Sequence, residues 1–172
     1  RVEPRWAVPL EIVFATRLTS RAHDELLAGA LAGAGDGAAP GLVAELLVAK
    51  SIVSRRLGRP DETIADTARA LLLARAAARP DLEAYASYVR IAAIGDLEGA
   101  AAAIEAAKAA AASARAAANP VLLAKSLESL GWASLQTGDV ELAERCADEA
   151  LAIAHDLRLP AIEVHAENLI GT

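Results

Sequence analysis

Residues 120–160 read PVLLAKSLESLGWASLQTGDVELAERCADEALAIAHDLRLP, and this stretch decides the fold. Pro120 stands where a helix can begin without loss, because its missing N–H falls among the donors that a first turn leaves unpaired, and Asn119 before it is a good cap. Thr137-Gly138 ends that helix. Asp139 then caps a second one by accepting backbone N–H bonds, and Glu141 suits the positive end of its dipole. From there Leu142, Ala143, Cys146, Ala147, Ala150, Leu151 and Ala154 recur at helical spacing and make one apolar face. The passage predicts two helices joined as a hairpin.

The opening phrase recurs along the chain. Pro40-Gly-Leu-Val-Ala, Pro80-Asp-Leu-Glu-Ala, Pro120-Val-Leu-Leu-Ala and Pro160-Ala-Ile-Glu-Val are spaced 40 residues apart. A fixed period of this size is the signature of stacked helical hairpins, in which each unit covers an apolar face that its neighbour cannot bury alone. The units are 41–80, 81–120 and 121–160, within a single repeat domain over 1–172. Residues 161–172 start a fourth unit that stops inside its first helix, and together with the absence of Met this reads as a piece of a longer polypeptide. Residues 1–40 form a degenerate N-terminal unit: Ser20 to about Ala34 is its second helix, ended by the turn Gly33-Ala-Gly35-Asp-Gly37, and residues 5–18 are its partner helix.

Two interior breaks complete the pattern. In 41–80 the break is Gly58-Arg59-Pro60-Asp61, with Pro60 as the starting signal; in 81–120 it is Gly95-Asp96, with Glu98 near the start of the second helix. The break thus falls 18 residues after Pro40 and Pro120 but 15 after Pro80. This predicts a shorter first helix, a longer second helix and an altered twist in the middle unit. The pairs Asp96/Glu98 and Asp139/Glu141 are read as helix-start chemistry.

Composition narrows the function classes. Of 172 residues 55% are hydrophobic and only 3% aromatic, so the core is made of Ala, Leu, Val and Ile, which favours helices over a sandwich or barrel. A net charge of −6 and a pI near 5.1 argue against direct contact with nucleic acid, which needs a concentrated basic patch. Mean hydropathy is +0.31, yet charge, Gly or Pro interrupts every apolar run before the roughly 20 residues that a spanning helix requires, so no membrane segment is expected. The single cysteine, Cys146, cannot form an internal disulfide, which fits a cytoplasmic location.

In Leu127-x-x-Leu130-Gly131-x-x-Ser134, followed by Gly138-Asp139, Ala143, Ala147 and Ala150, the chain resembles the tetratricopeptide (TPR) consensus. HEAT or armadillo repeats, at about 40–47 residues, fit the length better than the TPR at about 34, but the residues favour the TPR. In 41–80 Ser51 and Thr63 stand at the Gly131 and Ala143 positions, and in 81–120 Tyr88 and Ala100 do. The resemblance implies a right-handed superhelix (α-solenoid) of TPR-like hairpins, all-α, with the extra length in the second helix of each. The phrase from Asp139 to Pro160 is similar to the lengthened repeats of bacterial multi-domain transcription regulators of the LuxR/MalT and SARP type. That implies a sensing or protein-interaction arm, with DNA bound by a separate domain.

Catalytic motifs are missing: neither Gly-x-Ser-x-Gly nor His-Glu-x-x-His occurs, and the glycines around Gly35 lack the Gly-Lys-Ser/Thr ending of a phosphate loop. The chain is read as a non-enzyme with no cofactor and no metal. His23, His155 and His165 are read as surface or helix-end residues, and Cys146 as a small buried hydrophobe. What remains is surface. In TPR arrays the first helix of each hairpin lines an inner groove, and the resemblance maps this lining onto positions that include Glu45, Val48, Ile52, Leu82, Ala92, Lys125 and Glu128. The partner-contacting set is Arg55, Arg56, Tyr85, Val89, Trp132, Leu135 and Gln136, with Trp132 the foremost anchor. The expected partner is a protein or peptide, including other domains of the same polypeptide, and a homodimer is admitted. The competing reading is a structural spacer or self-association scaffold with no small-molecule ligand.

Overall fold

The computed structural model describes residues 20–35 and 37–171, so the helix expected over 5–18 lies outside the described residues. These residues form eight helices and no strand: α1 (Ser20–Ala34), α2 (Pro40–Arg56), α3 (Pro60–Ala76), α4 (Pro80–Glu98), α5 (Ala100–Ala116), α6 (Pro120–Thr137), α7 (Val140–Leu157) and α8 (Pro160–Ile170). The fold is all-α. Each helix packs on the next along the chain, and α2, α4, α6 and α8 also touch one another in that order.

Proline starts α2, α3, α4, α6 and α8, where its fixed φ suits the first turn. Asn119 and Asp139 cap α6 and α7, their side chains accepting the N–H of Leu122 and Leu142 at 3.0 Å. Three helix ends share one device: the N–H of the residue just before the next helix's proline reaches back five residues to a carbonyl. Arg79 donates to Ala74, Asn119 to Ala114 and Leu159 to Ala154, each at 2.9 Å.

The core is a stripe of small residues. α3 buries Thr63, Thr67, Ala70 and Ala74, α5 buries Ala103, Ala107, Ala110 and Ala114, and α7 buries Ala143, Ala147, Ala150 and Ala154. Each set stands forty residues from the next. The corners repeat likewise: Ala44, Ala74 and Leu82 cluster, then Ala84, Ala114 and Leu122, while Ala124, Ala154 and Ile162 lie in the large core that links α4 to α8. Where a hydroxyl enters this apolar stripe it is satisfied by its own helix, as when Thr67 Oγ1 donates to the Thr63 carbonyl at 2.7 Å.

The middle unit corrects the sequence reading. Gly95-Asp96 is no break: α4 runs on to Glu98, and the chain turns at Gly99, whose φ of 89° lies in the region that favours glycine. α4 has 19 residues and α5 has 17, so the expected short first helix and long second one are reversed. Nor is the second helix lengthened elsewhere, since α2 and α3 both have 17 residues and α6 and α7 both have 18. Gly95 lies inside the helix and faces α5: a Cβ there would lie 3.4 Å from the Ala103 methyl, an ordinary contact. With the turn at Gly99, the buried Ile91 and Ala103, not Tyr88 and Ala100, stand forty residues before Gly131 and Ala143. Asp96 and Glu98 therefore sit in the last turn of α4 and are not helix-start residues.

Among the described glycines the least room is at Gly131, where a Cβ would meet Leu169 Cδ1 at 2.9 Å and the Ala143 carbonyl at 3.5 Å. Gly131→Leu should destabilise the fold by about 1–3 kcal/mol through overpacking. The check is a lower urea midpoint at unchanged slope; an unchanged midpoint would mean that α6, α7 and α8 are not this close.

Candidate functional site

α4 and α6 are neighbours, and their small facing residues leave a cleft of about 310 Å³. Its lining is buried at Ile91, Ala103 and Ala133 and exposed at Ala92, Asp96, Trp132 and Gln136, with Gly95, Ser129 and Ala100 half-buried between them. The room exists because Gly95, Ala92 and Ala100 stand where larger side chains would fill it. Trp132 is 39% exposed on the rim, the only aromatic side chain in the lining. The Ser129 hydroxyl donates to the Lys125 carbonyl at 3.0 Å, so its lone pairs remain to accept.

Asp96 supplies the charge. It lies in the last turn of α4, at the negative end of the helix dipole, where a carboxylate costs about 0.3–1 kcal/mol. Among the described residues no cation is set against it to offset that cost. Two other ionic groups of α6 are engaged: Lys125 Nζ stands 5.8 Å from the centre of the Tyr88 ring, and Glu128 pairs with His165 at 2.9 Å.

The structure brings three of the expected groove residues, Ala92, Trp132 and Gln136, into this cleft. Leu135 is half-buried beside it on α6, outside the lining. Arg55 and Arg56 are exposed in the last turn of α2, in another part of the molecule. Tyr85 is half-buried against two core clusters. Val89 is 3% exposed and packs with Leu47, Val48 and Ile52, so it belongs to the core and not to an open groove. The reason is that α4 is packed against α2, α3, α5 and α6 together, which leaves only a narrow stripe of it open. Val48, Ile52 and Leu82 are buried for the same reason, and Glu45 pairs with Arg79 at 2.8 Å. Asp96 and Gly95 were missed as site residues. The signal was present, because they stand forty residues before Leu135 and Gln136, but the local Gly-Asp match to Gly138-Asp139 obscured it.

Cys146 is buried, and burial pushes its thiol pKa up, which makes it a poor nucleophile. No group of three His, Cys, Asp or Glu among the described residues is placed to hold a metal ion. No described helix is long and apolar enough to cross a membrane. His155 is exposed in the last turn of α7. His23 departs from the sequence reading: it is 2% exposed and occupies in α1 the place that Thr63 has in α3. Burial, and then the Arg56 charge, push its imidazole below the ordinary histidine range, with Asp24 opposing.

No protein-family model matches the sequence, and no curated protein matches it. Among solved structures the chain is similar to BtubC (BKLC) from P. vanneervenii, with 17% identity over 94% of this chain and 74% of that one and a TM-score of 0.72. At that identity the likeness shows the all-helical fold alone.

A histidine whose folded pKa lies below its unfolded one contributes stability above about pH 6.5 that is lost as the pH falls. His23→Thr, which installs the residue of the next unit, should therefore flatten the fall in thermal midpoint between about pH 7 and 5. Identical pH profiles for the two proteins would contradict the burial of His23.

Proposed function

We propose that this chain is a helical-repeat interaction module: one domain over 1–172, a right-handed α-solenoid of TPR-like hairpins with a period of about 40, organised as 41–80, 81–120 and 121–160 with partial units on either side. It works as a binding surface and not as an enzyme. The single observation that carries this reading is Trp132, 39% exposed beside a cleft that small residues keep open. A large aromatic ring on the rim of a preformed hollow is the usual anchor for a partner segment. The partner is a protein or peptide, which includes other domains of the same polypeptide, and no direct contact with nucleic acid or membrane is part of the reading.

The resemblance of residues 139–160 to lengthened repeats of LuxR/MalT- and SARP-type regulators supports placing the module in a bacterial transcription regulator, where it would transduce a signal in the cytoplasm. A spacer or self-association scaffold is the second reading. It would use the apolar face of α8, where Val164 and Ile170 are exposed at 54% and 46%.

Trp132→Ala should weaken capture of a partner peptide at least about tenfold while costing less than the 3–5 kcal/mol of a fully buried aromatic. If the variant loses that much stability and still binds, Trp132 is a core residue and the reading fails. Light scattering of the wild-type chain over a concentration series separates the two readings: a monomer throughout leaves the binding module, and concentration-dependent dimers favour the scaffold.

A further inference from the structure

We propose that the cleft between α4 and α6 selects a cationic side chain, an arginine or lysine of the partner, held between the Trp132 ring and the Asp96 carboxylate. This rests on the cleft being a docking site and names the chemistry that it recognises. Three independent features converge. Asp96 is a carboxylate at the disfavoured end of its helix, lining a cleft and exposed, with no cation against it among the described residues. Trp132 faces the same hollow and offers the best aromatic surface for a cation, arginine above all, because a guanidinium stacks on a ring while its N–H fork meets a carboxylate. Gln136 and Ser129 add acceptor oxygens on the same lining for the remaining N–H groups.

The hollow also suits the ligand in shape. At about 310 Å³ it takes one long side chain and not a folded element. Its base is apolar, Ile91, Ala103 and Ala133, which favours the methylene stem of arginine or lysine beneath a charged head that reaches the rim. An anion has one attraction here, the first turn of α5, which carries neither a side-chain cap nor an acidic residue. Asp96 stands at the same mouth and repels it.

The test uses the full chain, 15N-labelled, titrated with the capped peptide Gly-Gly-Arg-Gly-Gly and with peptides that carry norleucine or glutamate in place of the arginine, read at the Trp132 indole N–H. The arginine peptide should move that signal and bind at least about fivefold more tightly than either control. Asp96→Asn should abolish the preference without lowering the thermal midpoint, whereas Glu98→Gln, which removes the same charge nearby, should keep it. Equal losses in the two variants would reduce the effect to general attraction by an acidic protein and overturn the proposal. A glutamate peptide that binds best would overturn it in favour of the α5 N-terminus. If the norleucine peptide binds as well as the arginine one, the cation pairing falls and the docking site stands; if no peptide moves the Trp132 signal, both fall.

Discussion

Close approach of helices through small side chains is the constraint on which the rest depends. An alanine buries little surface, so a stripe such as Ala143, Ala147, Ala150 and Ala154 stabilises chiefly by bringing backbones and neighbouring side chains into dense contact, where many weak attractions add up. Leucines and isoleucines on the first helices fill what remains: Leu127, Leu130 and Ile162 join the same core. Glycine is used where a methyl group would force a neighbour to shift, at Gly131 against Leu169, while at Gly95 a methyl group would only touch Ala103.

The cleft is a by-product of the same economy. Small residues that let α4 approach α5 also leave the outward side of α4 low, so Ala92 and Gly95 border a hollow that Trp132 overlooks from α6. Two consecutive residues thus have unlike roles. Gly95 lies against Ala103 of α5, and Asp96 sets the charge at the cleft mouth, at some expense to the helix it ends. The same carboxylate stands at the cleft mouth beside the uncapped first turn of α5, whose dipole suits it.

Much of the helical content was legible because its signals are local and chemical. Prolines at 80, 120 and 160, Asn119 and Asp139 each act within a turn of their own position, and each starts or caps a helix as read. The middle unit was misread where two local signals competed. Gly95-Asp96 has the same letters as Gly138-Asp139, but the turn falls at Gly99, and only the spacing of the buried alanines in α5 reveals it. Of the cleft, Trp132 and Gln136 were legible through the resemblance to TPR arrays, which assigns them to the groove-lining helix. Val89 was not, because its neighbours come from α2 and α3, and the burial of His23 depends in the same way on packing that no local pattern shows.

The register of the middle unit fixes both the stack and the cleft, and nuclear Overhauser contacts in an alanine-methyl-labelled sample measure it directly. A cross-peak between the Gly95 Hα and the Ala103 methyl is predicted, together with helical amide contacts that run unbroken from Ile94 to Glu98. Loss of helical contacts at Gly95-Asp96, with Ala100 in place of Ala103 against α4, would contradict it and would remove Asp96 from the cleft.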